Sequence, residues 1–191
     1  MRTQRLLRAA ALAFVALAFG AGAAQARQVK LGHLAPTNDP RHAVLEKFGE
    51  TVKAKTNGAL EVKVFPSSTL GGEREMFEQA QAGVTESALV GGVVSNFFPA
   101  WSIIDMPFLW KSNEHLRAFM NGKIAGEWSG QMGTKLGVEM LAFLERNPRI
   151  LVSSKKPVKN MADLKGMKVR VPNIKVYTDA WRAFGVEPVP M

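Results

Sequence analysis

The stretch DLKGMKVRVPN, residues 163–173, decides the reading of the chain. Asp163 to Lys165 read as a short helical turn closed by Gly166, and residues 167–171 read as a strand. Side chains alternate across a strand, so Met167, Val169 and Val171 point one way while Lys168 and Arg170 point the other. Pro172 has no N–H to give to a ladder and stops the strand. An arginine is thereby left at the carboxyl end of a strand. In open α/β sheets that is where ligands sit.

Outward from this stretch, strand and helix alternate. Residues 29–35 (VKLGHLA) read as a first strand, closed by the turn residues 36–40. Asn38 or Asp39 can cap the helix that follows, with Pro40 in its first turn. Val44, Leu45, Phe48 and Val52 recur at helical spacing until Asn57-Gly58 ends the run. Residues 60–65 (LEVKVF) alternate as a second strand, residues 73–82 read as a helix closed by Gly83, and residues 87–91 read as a short buried strand. This order argues for a parallel α/β sheet with crossover helices.

Further strands are expected at 103–107, 138–145 and 150–153, and helices at 112–120, 123–135 and 174–184. No strand is read after the last helix. The chain stops at Met191, where the pattern asks for a new βα element.

Of the 191 residues, 47% are aliphatic or aromatic, enough for a packed core, and the charges are dispersed, as in a globular protein. Residues 1–26 stand apart. Arg2, Arg5 and Arg8 precede an apolar run of small residues, and Ala24-Gln25-Ala26 offers a cleavage site, which is the layout of a secretory signal peptide. The alternative is a membrane anchor, for which the apolar run is short and stop-transfer charges are missing. Export with cleavage after Ala26 is the expectation, and it lowers the formal charge from +9 to +6. A mildly basic protein favours anionic partners without naming one. With no cysteine, disulfides, thiolate metal sites and a cysteine nucleophile are excluded.

Local motifs for chemistry are sparse. His33, His42 and His115 share no metal-ligand spacing, and no G-x-S-x-G elbow is present. Neither a metal nor a cofactor is expected. Phe97, Phe98, Trp101 and Trp110 form core or wall a pocket; both readings are open. Aromatics and lysines interleave too sparsely for a nucleic-acid platform, so no nucleic-acid partner is expected. Arg149 follows Pro148 at the start of one expected strand, and Arg170 ends another. A guanidinium is a rigid fork of donors matched to a carboxylate, but an arginine can equally form a surface salt bridge. Spacing alone leaves the two readings open.

Several segments together resemble the substrate-binding proteins of tripartite ATP-independent periplasmic (TRAP) transporters. They are GHLA (32–35), Asn57-Gly58, FPSSTLGGERE (65–75), Pro157-Val158, DLKGMKVRVP (163–172) and FGVEPVPM (184–191). The resemblance implies an α/β, periplasmic-binding-protein-like fold of two lobes with mostly parallel sheets and flanking helices. It places a first lobe at 27–145 and the start of a second at 146–191. It implies a periplasmic receptor, expected as a monomer, that closes on a small carboxylate and delivers it to TRAP membrane subunits. Arg170 would salt-bridge the ligand carboxylate and Arg149 would assist. His33 and Leu34, residues 91–96, and Asn173 just past the strand would line the cleft. Members of that family run well past this point, so the second lobe is expected to be incomplete. Two rival readings are a secreted enzyme acting on an anionic substrate and a truncated remnant or interaction module.

Overall fold

The computed structural model describes residues 25–145, 148–154 and 156–191. The expected signal peptide, up to residue 24, lies outside the described residues. Strand β1 (Arg27–Gly32) pairs in parallel with β2 (Leu60–Phe65) along its full length, Arg27 facing Leu60 and Gly32 facing Phe65. Its other edge takes β3 (Ser87–Ala88), giving the order β2-β1-β3.

Parallel neighbours need crossovers, and helices supply them. Helix α1 (Pro40–Lys55) joins β1 to β2; Asp39 caps it by accepting the Arg41 N–H at 2.9 Å, and Pro40 opens its first turn. The helix ends where Asn57 (φ 50°) and Gly58 (φ 79°) turn left-handed. Helix α2 (Glu73–Gln81) joins β2 to β3, with the Glu75 carboxylate accepting the Gly72 N–H at 2.8 Å.

Next come two 3-10 helices, Gly92–Asn96 and Pro99–Asp105, then α3 (Asn113–Met120) and α4 (Lys123–Leu136). Phe77, Val94, Phe98, Trp101, Met120, Ala125, Trp128 and Met132 form the larger core between them. The aromatics of 97–101 are thus mainly core, and burying such rings is the chief favourable term in folding.

A second sheet is built from β4 (Lys168–Val171) and β5 (Glu187–Pro190), parallel, with α5 (Lys175–Ala183) crossing between them. The 3-10 turn Met161–Leu164 precedes β4. Val171, Ile174 and Tyr177 form the smaller core. The fold is therefore α/β with parallel sheets.

Five local expectations need correction. Residues 103–107 are not a strand. Pro99 starts a 3-10 helix that runs to Asp105, and Ile103 and Ile104 pack on the larger core. Residues 138–145 and 150–153 lie in no helix or ladder among the described residues; Val138, Met140 and Phe143 cover the larger core from one side. The strand expected at 87–91 shortens to two residues, because Gly91 already leads into the next 3-10 helix. Finally, a strand does follow the last helix. Glu187 and Met191 donate their N–H groups to Met167 and Val171 at 2.8 and 3.0 Å. Pro188 and Pro190 occupy the intervening positions, whose nitrogens are not needed by β4.

Candidate functional site

An open cleft of about 1890 Å³ lies across the carboxyl ends of β1, β3 and β4. Leu34, Arg41, Asp105, Arg149, Arg170 and Tyr177 are among its lining residues. Arg170 is exposed at the end of β4, and its Nη2 donates to the main-chain carbonyl of Met191 at 2.8 Å. On the same face of the strand, Lys168 pairs with Glu187 at 3.6 Å.

Arg149 enters the cleft from the irregular segment after Pro148. Its Nε donates to Tyr177 Oη at 2.6 Å, and its guanidinium carbon stands 4.7 Å from the centre of that ring. Tyr177, on the first turn of α5, donates in turn to Asp105 Oδ1 at 2.5 Å. Burial and the adjacent Asp105 carboxylate push the Tyr177 hydroxyl up to about 12, so it keeps its proton at neutral pH.

Arg41 also faces the cleft, but its fork is engaged. Its Nε and Nη2 donate to Asp39 Oδ1 and Oδ2, both at 2.8 Å. These bonds hold the Asp39 carboxyl well below the usual carboxylate range.

The structure brings together Arg149, Arg170 and Leu34 but not His33 or Asn173. His33 is fully buried behind the cleft wall; its Nε2 meets His42 Nδ1 at 3.1 Å, and its Nδ1 has no partner among the described residues. Burial, with the His42 and Arg41 charges, lowers its pKa and keeps the ring neutral at pH 7. Asn173 lies outside the cleft lining, and its backbone carbonyl accepts from Asn96 Nδ2 at 3.2 Å. Sequence reasoning missed Asp105 and Tyr177. The available signal was that Tyr177 is the chain's single tyrosine, five residues beyond Pro172.

Among the described residues, no group of three or more His, Asp or Glu is placed to hold a metal ion. None of the described helices is long and apolar enough to cross a membrane. What the arrangement offers is two guanidinium groups, a phenol and a carboxylate around open space, a set suited to holding a hydroxylated anion.

Comparison with known proteins gives a consistent result. The family model described as bacterial extracellular solute-binding protein, family 7, matches residues 31–191. A solute-binding protein of Roseobacter denitrificans is 37% identical over 183 residues, covering 96% of this chain and 56% of that protein. Its crystal structure, a TRAP periplasmic solute binding protein with bound L-galactonate, superposes with a TM-score of 0.81 at 36% identity, covering 86% of this chain and 54% of that one. A Polaromonas relative bound to D-erythronate gives a TM-score of 0.79 at 36% identity, again covering 86% and 54%. The 2,3-diketo-L-gulonate-binding periplasmic protein YiaO of Escherichia coli is 31% identical, covering 91% of this chain and 53% of its own length. The chain spans about half the length of the relatives it matches.

Proposed function

The chain belongs to bacterial extracellular solute-binding protein family 7, and from that premise we propose that it forms the receptor for a sugar acid. The ligand class is an aldonate or a close relative, with one carboxylate and several hydroxyls. The observation that carries this reading is that Arg149 and Arg170 both line one cleft at the carboxyl end of β4. Relatives of similar fold hold L-galactonate and D-erythronate, which have this chemistry.

In this reading Arg170 receives the carboxylate and Arg149 assists, while Leu34 walls the cleft. Residues 27–145 and 146–191 act as parts of two lobes that close by a hinge, since a ligand touching both favours the closed state by its greater affinity for it. Closure excludes water, and a carboxylate–guanidinium pair strengthens as the surrounding dielectric falls. The protein works in the periplasm as a monomer after removal of residues 1–26. It releases its ligand unchanged to the membrane subunits of a TRAP transporter.

A thermal-shift screen of the chain against L-galactonate, D-erythronate, L-gulonate and D-glucuronate tests the reading. A ligand held only by the native state at about a hundred times its Kd raises stability by about 2.7 kcal/mol. A melt raised by one or more of these acids, and not by neutral hexoses, is the expected result. Equal shifts with acids and hexoses, or none with any acid, would remove the reading.

A further inference from the structure

Arg149 lies in a segment where neither a helix nor a ladder fixes its side chain. Its guanidinium nevertheless has a set orientation, because Nε donates to Tyr177 Oη at 2.6 Å and its Cζ stands 4.7 Å from the ring centre. A phenol has one proton to give and lone pairs to accept with. Tyr177 spends a lone pair on Arg149 and its proton on Asp105 Oδ1, at 2.5 Å. A relay therefore runs from cation to hydroxyl to carboxylate, from residue 149 through α5 to the 3-10 helix Pro99–Asp105. The phenol stays protonated, which keeps the relay in this sense at neutral pH.

We propose that Tyr177 and Asp105 are positioning residues that turn Arg149 so that its Nη1–Nη2 edge faces the ligand carboxylate. The inference rests on the reading that this cleft binds a sugar acid. A guanidinium can grip a carboxylate through the Nε–Nη edge or through the Nη1–Nη2 edge. Tyr177 occupies Nε and so removes the first mode, whereas no described residue bonds Nη1 or Nη2. Asp105 supplies the acceptor that keeps the phenol proton turned away from the arginine. Without it, the hydroxyl is free to rotate and Arg149 loses its anchor. An arginine fixed before the ligand arrives gives up less rotamer freedom on binding, which raises affinity.

The test compares the wild-type chain with Tyr177→Phe, Asp105→Asn, Arg149→Ala and the double variant Tyr177→Phe/Arg149→Ala. Binding of L-galactonate is followed by calorimetry, and the Arg149 Nε–H proton by 15N NMR. Tyr177→Phe keeps the ring in the smaller core. It is expected to weaken binding about ten- to a hundredfold, the range for losing a hydrogen bond to a charged group. In the Arg149→Ala background the same change has no further effect. Asp105→Asn keeps a neutral acceptor and gives a smaller loss than Tyr177→Phe. The Nε–H proton, protected in the wild type, exchanges quickly in Tyr177→Phe. Unchanged affinity in Tyr177→Phe overturns the proposal, as does an equal loss in both backgrounds, which is what a merely structural tyrosine gives. Failure of the wild type itself to bind L-galactonate and the other sugar acids overturns the ligand reading, and the positioning role falls with it.

Discussion

The Asp105 carboxylate lies against the backbone of Gly92, so close that a β-carbon there would stand 2.1 Å from Oδ2 and 2.8 Å from Ile174 Cδ1. A glycine is needed at that point to let the two 3-10 helices and the loop before α5 come together. Asp105 is short and tied to Tyr177 through Oδ1, so it cannot swing aside without breaking that bond. Gly92→Ala is expected to destabilise the chain by about 1–3 kcal/mol, the usual cost of overpacking. Urea unfolding reads the effect. A midpoint equal to wild type would mean that Asp105 is mobile there.

The fully buried His33 makes stability depend on pH. Burial, followed by the His42 and Arg41 charges, lowers the folded pKa of His33, against the opposing pull of Asp39 and Glu46. In the unfolded chain the ring titrates near its ordinary value of 6.5. Between the lowered value and 6.5 the unfolded state holds more protons, so stability rises with pH there and is lost as pH falls through that window. Melting temperatures measured from pH 8 to pH 5 are expected to fall in the wild type and to fall less in His33→Gln. Parallel curves for the two proteins would assign the acid sensitivity to another group.

Trp128 is the hub of the larger core. Its ring meets Phe119, Phe98 and Trp101 with centroids 5.4, 5.9 and 6.1 Å away. Trp128→Ala is expected to cost about 3–5 kcal/mol, and Trp128→Phe clearly less, since part of the volume is kept. Chemical denaturation of both variants checks the order. A small loss in the alanine variant would show that α3 and α4 contribute little to the cooperative unit.

The parts of this fold that obey local rules were legible in the sequence. Residues 60–65 carry a period of two, Asp39-Pro40 announces a helix start, and Asn57-Gly58 announces its end. The position of Arg170 followed from the pleat and from Pro172. What failed was inference about partners. Residues 138–145 have the apolar alternation of a strand because one side covers the core, yet alternation reports one-sided burial and not a neighbouring ladder. β5 was hidden by two prolines whose nitrogens the ladder does not use. The resemblance places both His33 and Leu34 in the cleft, although just past β1 the chain buries His33 fully while leaving Leu34 outside. The Tyr177–Asp105 bond joins residues 72 apart, and no local pattern announces it.

The most direct test of the account is calorimetric titration of the chain with L-galactonate beside Arg170→Ala and Arg170→Lys. Saturable binding is expected in the wild type, none in the alanine variant, and a severe loss in the lysine variant, because a point charge cannot replace a bidentate fork. Wild-type affinity retained in Arg170→Ala would contradict the central claim that this arginine receives the ligand's carboxylate.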